Sequence, residues 1–101
     1  MNTSEMFSYE RAQRVLDYSA DASFGALSRD WLQASMQRKY VYNFDWMGRP
    51  IIQYPQDMVA MQELVWRVRP DLIIETGIAH GGSLVLSASL LALLDMSDAI
   101  E

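Results

Sequence analysis

Apolar positions recur at helical spacing in a first part of the chain, which holds six of the eight basic residues and most of the aromatics before Pro50. The second part is smoother and more aliphatic. Met6, Ala12, Val15 and Leu16 recur at helical spacing, which predicts a short amphipathic helix. A second helix is predicted from Ser28, whose hydroxyl suits a cap, with Trp31, Leu32, Ser35 and Met36 along one side. The stretch YVYNFDWMGRPIIQYP, from Tyr40 to Pro55, breaks the period. Its aromatics, Gly48, Pro50 and Pro55 predict an ordered, irregular connector with a short extended piece at Ile51 and Ile52. After Pro55, Met58, Met61, Leu64, Val65 and Val68 fall on one stripe of a third helix, which Pro70 ends.

The segment Asp71 to Thr76 reads as a strand. Leu72, Ile73 and Ile74 make it apolar on both faces, as a buried parallel strand requires. The glycines of Gly77 to Gly82 turn the chain into a helix from Ser83 to about Leu94, apolar around most of its circumference and so expected to be sandwiched. Helix, strand, glycine loop and helix is the opening unit of a doubly wound α/β sheet. The expected division is a helical segment 1–49, then 50–101 with connector, helix and first βα unit.

Composition narrows the function. The chain has 101 residues, room for one small domain, and half of them are apolar, which favours a folded segment over disorder. A net charge of -5 argues against a nucleic-acid partner, which would need clustered positive charge. With no cysteine there is no disulfide framework or thiolate metal site, and one histidine, His80, does not build a zinc site. LVLSASLLALL (Leu84 to Leu94) is far shorter than the roughly 20 residues that span a bilayer, so no transmembrane segment is expected. The start MNTSEMFSYERAQR lacks a signal pattern, and the expected location is cytoplasmic.

Ligands of α/β sheets sit beyond the carboxyl ends of the strands, where the glycine loop emerges. Gly77 permits backbone angles closed to other residues, while Gly81 and Gly82 let the helix start tight against the strand. The free amides of that helix and the Ser83 hydroxyl suit a carboxylate or a phosphate, and Glu75 offers an acceptor to an ammonium or hydroxyl. The loop lacks the lysine of a nucleoside triphosphate site, since Gly82 is followed by Ser83 and Leu84. It also lacks the middle glycine of a dinucleotide site, where Ala79 stands. S-adenosylmethionine presents a carboxylate and an ammonium together, the pair these groups satisfy best.

Each residue also has a plainer role. The glycines suit a tight turn without ligand, and backbone amides would satisfy Glu75. His80 could cap or pack the loop as readily as act in catalysis, so no catalytic residue is assigned. Met58, Met61 and Val65 are read as core, Trp46 and Tyr54 as aromatic packing beneath the connector in preference to a substrate wall, and Arg38-Lys39 as a solvated helix end.

The stretch YNFDWMGRPIIQYPQDMVAMQELVWRVRPDLIIETGIAHGGSLVL resembles the cephalosporin hydroxylase / rhamnosyl O-methyltransferase family over about Tyr42 to Leu94. That family resembles the class I S-adenosylmethionine-dependent methyltransferases, including catechol-type enzymes with an E-x-G-x-x-x-G-x-S loop. The resemblance implies an α/β fold: N-terminal helices plus the first βα unit of a Rossmann-like methyltransferase sheet, truncated. It implies that Glu75, Gly77, Gly81 and Ser83 line the methionine end of the cofactor, with His80 facing cofactor or acceptor and Gln53 brought over the sulfonium. The implied activity is methyl transfer to a hydroxyl of a sugar, glycolipid or small-molecule acceptor, with the fragment inactive alone. A divalent metal is compatible with the full-length enzyme, its ligands lying outside this chain. Hydroxylation, suggested by the family's name, finds no redox group among these residues. A different class of reading stays open: an interaction or homo-oligomerisation module docking through Leu84 to Leu94 and the strand edges.

Overall fold

A computed structural model describes residues 1–100, and the side chains of residues 1–97; Glu101 lies outside the described residues. Two compact units form, Met1–Arg38 and the chain from Lys39 onward.

The first unit is a pair of helices, α1 (Thr3–Ala20) and α2 (Ala22–Gln37). Asn2 caps α1 by a reciprocal box: its Oδ1 accepts from the Glu5 amide at 2.8 Å, and Glu5 Oε2 accepts from the Asn2 amide at 3.1 Å. The second helix starts at Ala22, not at Ser28. Asp21 caps it, accepting from the Phe24 amide at 2.9 Å. Ser28 lies mid-helix and donates to the Phe24 carbonyl at 2.8 Å, the internal bond open to a helical serine. Tyr18 and Phe24 stack with centroids 5.1 Å apart.

The second unit opens with a 3-10 turn, Tyr40–Asn43, and an antiparallel hairpin of β1 (Phe44–Trp46) and β2 (Arg49–Ile51). The register pairs Phe44 with Ile51 and Trp46 with Arg49. The two turn residues, Met47 and Gly48, both have positive φ (48° and 80°), as the tight hairpins matching strand twist require. A division at 49/50 would fall within this hairpin. Helix α3 (Pro55–Val68) begins on a proline and ends at Arg69, whose left-handed backbone lets its N–H donate to the Val65 carbonyl at 2.8 Å. Helix α4 runs Gly82–Ile100, six residues beyond Leu94.

The core is Ile51, Val65, Leu86, Leu90 and Leu94, with Phe44, Trp46, Met58, Met61 and Ile73 packed against it. Leu86, Leu90 and Leu94 are one face of α4 at i, i+4, i+8, so α4 lies across β1, β2 and α3. Trp46 Nε1 donates to Ser89 Oγ at 3.2 Å, fixing the hairpin to α4. Leu84, Leu93 and Met96 are exposed, so α4 is covered on one side and not sandwiched. Val68 and Leu64, expected in the α3 stripe, are also exposed.

The architecture is mixed α/β, with helices and the βα segment that the sequence predicts. The sheet among the described residues, however, is the antiparallel hairpin. Segment 71–76 joins no ladder. Its side chains still alternate: Ile73 and Glu75 are half-buried, while Leu72 and Ile74 stand 72% and 81% exposed. A parallel strand needs neighbouring strands, and the described residues offer none beside it.

Candidate cofactor site

Gly82 sets the site's geometry. It is buried where α4 begins, and a Cβ there would overlap the Pro50 carbonyl oxygen and come within 2.8 Å of Ile51 Cβ. The close approach is to β2, not to segment 71–76. Gly81 N–H donates to the Ile78 carbonyl at 2.7 Å, and the α4 ladder begins with Val85 N–H to the Gly81 carbonyl at 3.0 Å. The amides of Gly82, Ser83 and Leu84 therefore precede the first helical bond. Gly77 has φ +69° with open space where a side chain would be, so its need for glycine is conformational.

A line of hydrogen bonds runs from the connector to segment 71–76. Gln53 Nε2 donates to Ser83 Oγ at 3.3 Å, and Ser83 Oγ donates to Glu75 Oε1 at 3.0 Å. Ser87 Oγ donates to the same Oε1 at 2.6 Å. Glu75 Oε2 is buried and accepts no bond. Leaving such an atom unsatisfied costs about 1–3 kcal/mol, more where it is charged. The carboxylate is thus fixed by two hydroxyls through one oxygen, with the other buried and accepting no bond.

These groups line an open pocket of about 420 Å³ with Asp57, Ala60, Met61, Leu64 and Leu86. One wall is apolar; the other carries two carboxylates, two serines and an amide. No lysine, arginine or histidine lines it. A pocket so charged favours a cationic group and disfavours a phosphate.

The structure brings Gln53, Glu75 and Ser83 together. It leaves Gly77, His80 and Gly81 outside the pocket lining, with His80 exposed in the turn before Gly81. Two polar lining residues, Ser87 and Asp57, lie outside the set that the sequence points to. Ser87 lies one helical turn beyond Ser83, a spacing that put both hydroxyls on the Glu75 side. Asp57 lies in the first turn of α3, where a carboxylate has the plain role of complementing the helix dipole.

The model of the rhamnosyl O-methyltransferase/CmcI family matches residues 38–100. The chain belongs to this family. The match spans the second unit and includes every residue of the Gln53–Ser83–Glu75–Ser87 line. Membership of the rhamnosyl O-methyltransferase/CmcI family implies a function like that of a sugar O-methyltransferase. No curated protein and no solved structure matches it. No helix among the described residues is long and apolar enough to cross a membrane.

Proposed function

We propose that this chain carries the part of an O-methyltransferase site that receives the amino-acid end of S-adenosylmethionine. The acceptor would be a hydroxyl of a sugar, glycolipid or small molecule. The observation that carries the reading is the buried, unbonded Oε2 of Glu75 beside a pocket without basic side chains. An ammonium group supplies both the donors and the charge that this atom calls for. The amides of Gly82, Ser83 and Leu84, which precede the first helical bond, offer donors to a carboxylate, the other half of an amino-acid group.

The chain's own residues bind and orient. Ser83 and Ser87 hold Glu75 in one rotamer, and Gln53 holds Ser83, so the acceptor is aimed before the ligand arrives and little ordering is left to binding. Met61, Leu64 and Leu86 form the apolar wall that excludes water from one side of the ligand. When bound, the cofactor supplies a methyl group, which the acceptor oxygen takes as the carbon–sulfur bond breaks and its proton passes to a base. None of the pocket residues is assigned as that base. His80 is a candidate only in the sense that it sits on the loop.

Calorimetric titration tests the reading. S-adenosylmethionine should bind weakly and detectably, and Glu75→Gln should weaken it by on the order of tenfold or more, since one hydrogen bond to a charged group is worth about 1.5–3 kcal/mol. Methylthioadenosine, which lacks the amino-acid end, should bind far less well. Equal affinity for both, or an unaffected Glu75→Gln variant, refutes it.

A further inference from the structure

The pocket beside Glu75 is lined by a second carboxylate that the cofactor reading leaves without a task. Glu75 belongs to segment 71–76 and is fixed from α4 by Ser83 and Ser87. Asp57 comes from α3, in a row with Ala60, Met61 and Leu64. Their i, i+3, i+4, i+7 spacing is one face of a helix, so the face of α3 that lines the pocket presents Asp57 in its first turn. That carboxylate is uncommitted. Tyr54, at the cap position, makes no side-chain capping bond, and among the described residues no hydrogen bond or ion pair engages Asp57.

The helix dipole accounts for an acid in this turn, but not for a lining in which two acids face no base. An ammonium at the buried Glu75 Oε2 balances one of them. Gln53, the polar side chain that the connector contributes, is neutral, and its amide nitrogen is engaged with Ser83. Asp57 is therefore the remaining charge in the lining, and Met61, Leu64 and Leu86 supply its apolar part. A ligand matched to this set carries two positive centres joined by a short apolar link. In S-adenosylmethionine, two methylene groups separate the ammonium-bearing carbon from the sulfonium.

We infer that Asp57 reads the charge on sulfur, so that the pocket separates the methyl donor from its demethylated product. The inference rests on the cofactor reading above and deepens it. S-adenosylmethionine and S-adenosylhomocysteine share the amino-acid group and the adenosine. They differ in the methyl group and in the positive charge that it confers on sulfur. Glu75 and the first amides of α4 meet the shared part and do not distinguish the two. The product, with a zwitterionic amino-acid group, is neutral overall and responds weakly to a carboxylate that faces its sulfur. The donor carries a net positive charge and is drawn by both acids. Because Asp57 is exposed, water screens its pull, and the discrimination it gives is modest. Specificity is a difference of affinities, and here it favours release of the spent compound over the methyl donor.

Calorimetric titration of the full chain with both compounds tests the inference. The donor should bind about threefold or more tighter than the product. Asp57→Asn should remove most of that difference by weakening the donor, and binding of the product by this variant shows that its fold is intact. Asp57→Glu, which keeps the charge, should retain the preference. Glu75→Gln should weaken both compounds together and leave their ratio in place. Added salt should narrow the ratio in the native chain and change it little in Asp57→Asn. Equal affinity of the native chain for the two compounds overturns the inference, as does a preference that survives Asp57→Asn; in either case sensitivity to Glu75→Gln leaves the cofactor reading standing. If neither compound binds, or Glu75→Gln affects neither, the cofactor reading falls and this inference falls with it.

Discussion

In the unit Met1–Arg38, order comes from groups close in sequence: Asn2 with Glu5, Asp21 with Phe24, Ser28 with the Phe24 carbonyl. From Lys39 onward the decisive contacts join residues far apart, Trp46 with Ser89, Gln53 with Ser83, and Ile51 with the start of α4. The first unit has long helices and no core; the second has strands of three residues and all five core side chains. Among the described residues, the apolar core thus lies wholly in the second unit, while the helices of the first are fixed by local bonds. The polar site occurs where the tertiary contacts are, because only a packed frame holds Glu75 Oε2 out of water with its other oxygen doubly bonded.

Substitutions in the two units should separate accordingly. The largest effect is expected from Leu86→Ala, which empties the centre of the second unit and should cost about 3 kcal/mol, read as a lower denaturant midpoint. Gly82→Ala drives a methyl into Pro50 and Ile51 and should cost about 1–3 kcal/mol while leaving the helical signal of α1 and α2 in place. Asp21→Ala removes the cap of α2 and should cost about 1 kcal/mol, visible in helicity but not in the second unit's transition. Ile74→Thr should change stability by less than about 0.5 kcal/mol, since that side chain already faces solvent, and should raise solubility. If Gly82→Ala disturbs α1 and α2 as much as the core, the separation of the two units fails.

The residues that punctuate the chain locally were legible. Pro55 and Pro70 bound α3, and the glycines place the turn before α4. The α2 start was misplaced because Ser28 has the chemistry of a cap, and nothing local reveals that Asp21 acts first. The hairpin was hidden because Met47 occupies a left-handed turn position that asparagine, aspartate or glycine usually marks. Segment 71–76 reads as covered on both sides because periodicity records what side chains would favour, not which neighbours are there; only the Ile73 face meets the core. For the site, the loop pattern led to Glu75 and Ser83. The second hydroxyl, Ser87, and the absence of any basic lining residue emerge only when α3, the connector and α4 come together.

The central claim is that the turn beside Glu75 and the first amides of α4 receive an amino-acid group. Amide chemical-shift mapping during titration with S-adenosylmethionine tests it most directly. The largest changes should fall at Gln53, Glu75 and Gly82 to Leu84, and should vanish with methylthioadenosine. Shifts confined to other residues, or the same pattern from both compounds, would contradict it.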